Sequence, residues 1–198
     1  MPKISTRTLD EHRTWRRDML IQAATEIALT NNHAPITISE VAKRAGISRT
    51  SVYEYFSSTE ELVADLVIAE LKNFSTLITA DLQNINEPVA KIERWIHLSL
   101  QYVVDGRHLI MKALNLINQP ANRAEAIRTG HRNLLAPITE SLAALGVKDI
   151  RQALMFLQAT TDVAAKRIES GAEAETEIAK TSAFCLAGLL ALTSQSQH

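Results

Sequence analysis

Residues 37–62 read TISEVAKRAGISRTSVYEYFSSTEEL, and the order of caps, breaks and apolar positions in this run decides the fold. Thr37 is placed to cap a short helix through its hydroxyl, with Glu40 reaching back to complete a capping box. Ile38, Val41, Ala42 and Ala45 recur at helical spacing and give that helix one apolar face. Lys43 and Arg44 fall in its last turn, where positive charge suits the helix dipole. Gly46 then ends it, because glycine takes a left-handed backbone without strain. Ile47 plugs the turn from below, and Ser48 caps a second helix starting at Arg49 and reaching about Tyr55. Val52 and Phe56, four apart, anchor that second helix to a core. Two short helices across a glycine turn form a helix-turn-helix, whose second member is sized for the DNA major groove.

The anchoring pattern leaves Arg49, Thr50, Ser51, Tyr53 and Tyr55 to face outward. Arginine offers two parallel hydrogen bonds to guanine, and small hydroxyls or methyls read other base edges. Tyrosine hydroxyls and backbone amides suit phosphates, which position a protein on DNA without specifying sequence. Helix pairs around a glycine also occur away from DNA, and Tyr53 and Tyr55 would serve equally in a core or an interface. The two caps, the short second helix and its Arg/Thr/Ser/Tyr face tip the reading toward DNA.

Ala45-Gly46-Ile47-Ser48, then Val52-Tyr53, Tyr55-Phe56 and Glu61-Leu62, resemble the TetR family of bacterial transcriptional regulators over about residues 14–66. The resemblance implies base-reading roles for Arg49, Thr50 and Ser51, phosphate contacts at Thr37, Tyr53 and Tyr55, and a place in the same interface for Lys43 and Ser48. The chain departs from the family pattern in three places. Thr59 stands where a phosphate-touching lysine is frequent, Tyr55 where histidine is common, and Glu54 adds a negative charge to the reading helix.

Length and composition set bounds on the rest. The 198 residues are 46% apolar but only 5% aromatic, and Ala and Leu dominate, which favours an all-α fold with a full core. The net charge of −1 gives no whole-chain argument for nucleic acid. Residues 1–49 are locally basic, with eight Lys/Arg against five acids, so a salt-dependent DNA affinity is expected. Cys185, the single cysteine, excludes an internal disulfide or a paired-cysteine metal site and is expected as a small buried residue. The N-terminus lacks the apolar core of a signal peptide. The apolar run 183–192 is about half a membrane span, so a soluble, cytoplasmic chain is expected with no membrane partner. No cofactor is expected. His97, His108 and His131 lack metal-ligand spacing, so no metal site is expected either.

The expected architecture is an N-terminal three-helix DNA-binding domain, residues 1–57 with a leading arm, followed by a larger helical effector-binding and dimerisation domain, residues 58–198, with about nine helices in all. Residues 1–12 read as a loose arm, in which Lys3 or Arg7 either reaches a minor groove or belongs to a plain tail. The first helix is expected over about Thr14–Asn31, with Arg16 and Arg17 either meeting phosphate or simply solvated. Ser58 and Glu61 form a further capping box that opens a long helix reaching Leu82. Helices follow from Pro88 to about Asp105, from His108 to about Ile117, and from Ala121 to about Leu145, the last with a kink or split at Pro137. Two more span about Asp149–Ser170 and Ala174–Thr193.

Leu154, Leu157, Thr161, Ala164 and Ile168 on the first of these, and Thr181, Cys185, Gly188 and Leu192 on the second, fall at alternating spacings of three and four. Such a seam is either internal core or an interface, and the TetR resemblance implies a homodimer interface. The family also encloses a small-molecule site in its middle region. Here that implies Trp95, Ser99, Tyr102, Met111, Asn115 and Phe156 as effector-binding walls, although each is also an ordinary core type. The leading reading is a homodimeric regulator, a repressor, that binds a palindromic operator in double-stranded DNA and is released by a small-molecule effector. Two alternatives stay open: an accessory DNA binder without effector, and a small helical enzyme. The enzyme has no supporting nucleophile-elbow, metalloprotease, P-loop or dinucleotide motif.

Overall fold

The computed structural model describes residues 9–30 and 34–194. The expected minor-groove arm, with Lys3 and Arg7, lies outside them. The described residues are all helical apart from turns and connections. In order they form α1 (Leu9–Thr30), α2 (Ile38–Ala45), α3 (Arg49–Tyr53), α4 (Thr59–Leu82), α5 (Pro88–Val104), α6 (His108–Ala113), α7 (Ala124–Ala144), α8 (Ile150–Glu169) and α9 (Ala174–Ser194). Short 3-10 turns occupy Leu114–Leu116 and Ala121–Arg123.

Several boundaries differ from the pattern-based ones for identifiable reasons. α1 begins at Leu9, five residues before Thr14, because Asp10 and Glu11 supply negative charge to its first turn. α3 ends at Tyr53, short of Tyr55. The expected helix to Ile117 stops at Ala113 and tightens into the first 3-10 turn. α7 is not split at Pro137. Ile138 and Leu142 beyond the proline belong to the core, with Leu134 and Leu135 before it packed against the same core, so both halves are anchored.

The chain divides into two compact units. The first holds residues up to Glu70 together with Leu109–Ile127, and the second holds Leu71–His108 with residues from Arg128 onward. The division therefore falls inside α4, rather than at the 57/58 boundary drawn from sequence, and α6 from Leu109 counts with the first unit.

In the first unit, α1 packs on α2 and α2 on α3. Leu20, Ala24 and Ile27 of α1, Ile38, Val41 and Ala42 of α2, Val52 of α3, and Phe56 behind it are all buried. Each fully buried Leu, Ile, Val or Phe side chain among them contributes roughly 1.5–3 kcal/mol. The second unit is built on α5, α8 and α9, which pack on one another. Its core joins Ile92, Ile96 and Leu100 to Leu157, Cys185 and Leu189.

Candidate nucleic-acid interface and ligand region

The glycine turn is built as its sequence suggests. Thr37 Oγ1 accepts from the Glu40 amide at 3.2 Å and donates to the Glu40 carboxylate at 2.7 Å. Gly46 adopts φ 68°, and the Ile47 amide donates back to the Ala42 carbonyl at 3.0 Å. These bonds satisfy carbonyls that the end of α2 would leave open. Ser48 Oγ then accepts from the Ser51 amide at 3.0 Å, and the two serine hydroxyls lie 3.0 Å apart.

The expected DNA-facing set divides by role. Thr37, Lys43, Ser48, Arg49 and Thr50 are exposed, and Tyr53 is 49% exposed. Arg49 makes no ion pair among the described residues and is exposed in the first turn of α3. Thr37, Ser48 and Ser51 are already engaged in caps, and Ser51 is half-buried. Tyr55, past the end of α3, is half-buried in a polar recess with Glu54 and with Asp10, His12 and Arg13 of α1. Arg44 pairs with Glu26 of α1 at 3.1 Å, an exposed pair that lowers the Glu26 carboxyl below its ordinary range.

Sequence reasoning missed a polar network beside this face. Asp65 of α4 is only 9% exposed, yet it receives two guanidiniums. Arg17 of α1 donates to one oxygen while lying 5.0 Å over the Phe56 ring. Arg123 of the second 3-10 turn donates to both, at 2.7 and 3.3 Å. Arg17 is thus paired with Asp65 rather than a plain solvated charge. One turn earlier on α4, Glu61 accepts from the Ser57 amide and hydroxyl at 3.2 and 2.7 Å and from Asn122 at 3.0 Å. The Ser58 hydroxyl does cap the Glu61 amide, but the Glu61 carboxylate reaches Ser57. Those bonds, the Ser57 hydroxyl first, lower the Glu61 carboxyl from 4.5 to about 2. A signal was present in the sequence: an aspartate inside the apolar run 62–67 requires a partner.

The six residues expected as effector walls do not come together in one unit. Trp95, Ser99 and Tyr102 share α5 in the second unit, whereas Met111 and Asn115 count with the first. Trp95 is a buried core residue whose indole N–H donates to the Leu134 carbonyl at 3.0 Å. Tyr102 stacks on Phe74, centroids 4.1 Å apart. Ser99 Oγ and His97 Nδ1 are buried without a hydrogen-bond partner among the described residues. Phe156, expected as a further wall, is 54% exposed on α8.

The seam read as a dimer interface is largely spent within the chain. Leu157, Thr161, Ala164, Thr181 and Cys185 are buried, and Leu154, Ile168 and Leu192 pack partly buried against the same core. Of the set, only Gly188 is exposed. Alternating three–four spacing marks the buried stripe of a helix, and here α8, α9 and α5 bury it on one another. Arg167 adds a two-pronged ion pair to Glu177, both bonds at 2.8 Å, across the α8–α9 turn. Burial pushes the Cys185 thiol above its usual pKa. The adjoining stripe carries Met155, Phe156 and Val163 of α8 and Phe184 of α9, all exposed. A groove of about 330 Å³ runs there, lined by Phe156, Thr160, Phe184, Gly188 and Leu192 among others.

Among the described residues, no helix is long and apolar enough to cross a membrane. Residues 20–66 match the family model for bacterial regulatory proteins of the tetR family. An uncharacterized HTH-type transcriptional regulator of Mycobacterium tuberculosis is 31% identical over 89 residues, which is 45% of this chain and 44% of the relative. The chain thus matches less than half the length of that curated relative. The fold of nearly the whole chain recurs in solved structures. A regulator from Saccharomonospora viridis in complex with choline has TM-score 0.73 at 14% identity, over 86% of this chain and 95% of that one. FadR from Bacillus subtilis in complex with stearoyl-CoA has TM-score 0.68 at 20% identity, over 87% and 97%. Residues 20–66, which hold the capped helix pair, are thus similar to the tetR family of bacterial regulatory proteins, and nearly the whole chain shares the all-helical fold of these solved structures.

Proposed function

We propose that this chain is a homodimeric transcriptional regulator, a repressor, that binds a two-fold symmetric operator and is released by a small-molecule effector. The observation that carries the reading is α3: five residues between two structured turns, with Arg49, Thr50 and Tyr53 exposed on it. One helix of that length reaches few base pairs, so a useful operator needs two copies with half-sites about one DNA turn apart. The outer stripe with Met155, Phe156, Val163 and Phe184 is the surface we assign to the second copy. It exposes four large apolar side chains on two helices that pack on one another, and two of them, Phe156 and Phe184, line one groove.

Two relatives by fold were solved with small molecules, stearoyl-CoA and choline. In the present chain the buried Ser99 Oγ and His97 Nδ1 are polar atoms that a ligand would satisfy. An effector that favours one arrangement of the two reading heads shifts operator affinity only by its differential affinity for the two arrangements. The test is selection of random duplex DNA by the purified protein. Enrichment of a palindrome supports the proposal, and no enrichment at low salt overturns it. For the effector, the duplex so obtained is titrated in the presence of choline or a long-chain acyl-CoA as probes. Unchanged affinity with bound probe removes that molecule as an inducer.

A further inference from the structure

We propose that the turn Ala121–Arg123, distant in sequence from the helix-turn-helix, is a positioning clamp for the DNA-reading helices, with Asn122 and Arg123 as its two jaws. The inference rests on the DNA-binding reading above. It adds residues that neither the TetR resemblance nor the family model, which ends at residue 66, assigns.

The geometry is specific. Glu61 and Asp65 lie four apart, so they share one face of α4 at successive turns. Asn122 takes the first at 3.0 Å and Arg123 takes the second at 2.7 Å, so two adjacent residues of one turn grip two adjacent turns of a helix. Each carboxylate also holds a piece of the reading head. Glu61 holds Ser57, immediately after Phe56, which seats the end of α3. Asp65 holds Arg17 of α1, and Arg17 covers the Phe56 ring. The turn itself is closed by the Arg123 amide bonding to the Pro120 carbonyl at 3.0 Å.

Charge balance says why this is positioning rather than neutralisation. Asp65 is nearly buried and would be costly unpaired, but Arg17 alone supplies its counter-charge. Arg123 is therefore surplus to neutralising Asp65. What it adds is a second direction of restraint, a planar fork that fixes where the carboxylate and its helix stand. Asn122, which is uncharged, does the same for Glu61. Losing the clamp leaves Asp65 paired with Arg17 and Glu61 bonded to Ser57, but frees the segment between α3 and α4. A looser reading head pays its ordering cost on binding DNA, equally for every sequence.

The test compares Asn122→Ala/Arg123→Gln with the wild type in two readouts. One is amide hydrogen exchange over residues 49–58. The other is affinity, at fixed salt, for the duplex that the wild type enriches. Arg167→Gln, which breaks the α8–α9 ion pair, controls for general destabilisation. Expected are faster exchange confined to residues 49–58 and an affinity loss of about 3- to 30-fold with unchanged base preference. Arg123→Lys, keeping charge without the fork, should recover part of the loss, and Arg167→Gln should change neither readout. Unchanged exchange at 49–58, or unchanged affinity, overturns the clamp, as does an equal effect from Arg167→Gln. If the wild type enriches no duplex, the DNA reading falls, and the exchange experiment alone still decides whether the turn holds these helices.

Discussion

Gly130 of α7 sits directly against Leu71 of α4: a Cβ at Gly130 would lie 2.8 Å from Leu71 Cδ1 and 2.9 Å from Leu71 Cβ. The second distance matters more, because a Cβ cannot swing aside as a side-chain tip can. In an open helix, Gly→Ala stabilises by about 1 kcal/mol. Here overpacking, about 1–3 kcal/mol, opposes it. Gly130→Ala is expected to lower stability by about 1 kcal/mol, read from the urea midpoint. Leu71→Ala removes the Cδ1 contact but keeps the Cβ one, so adding it should recover only part of the overpacking, whereas Leu71→Gly, which removes both, should make the double change clearly less costly than the sum of the two singles. A more stable Gly130→Ala would show that the helices shift apart freely.

Arg49→Ala is expected to weaken operator binding by about 1–3 kcal/mol and to relax preference at one base pair per half-site. Tyr53→Phe tests the other role. If the hydroxyl meets phosphate, all sequences lose affinity alike, whereas altered base preference would move Tyr53 among the base readers. Competition binding with a panel of single-position operator variants separates the two.

The outer apolar stripe gives a prediction about assembly. Phe184 is 70% exposed on α9, with Phe156 of α8 lining the same groove. Phe184→Glu should raise the dimer dissociation constant by roughly 30-fold or more, if Phe184 is a central anchor of the interface. Sedimentation velocity reads the change, and an unchanged helical circular-dichroism spectrum guards against unfolding. A mutant that stays dimeric at the same concentration would move the interface elsewhere.

Glu61 predicts a particular pH dependence. Its carboxyl sits near 2 in the folded chain against an ordinary 4.5. A lowered folded pKa contributes stability that is complete above about pH 4.5 and lost as pH falls toward 2. The stability gap between wild type and Glu61→Gln should therefore be flat above pH 4.5 and shrink below it. Denaturant midpoints across that range measure the gap, and a constant difference down to pH 2 would mean that the Ser57 and Asn122 bonds do not select the ionised form.

Local rules carried far in this chain where they act within a few residues. Thr37, Gly46 and Ser48 specify two helices and the turn between them, because caps and a left-handed glycine depend on the backbone beside them. The helical periods and breakers likewise announced an all-α chain and placed α4 and α9 within a residue or so. Periodicity alone could not say which helix covers a stripe. Leu157, Ala164 and Cys185 carried interface spacing and went to the interior, while Phe156 and Phe184 beside them remained outside. Nor could it say that Asn122 and Arg123, some sixty residues beyond Glu61 and Asp65, would meet them. A carboxylate in an apolar run declares that it needs a partner, but only chain folding across that distance chooses which one.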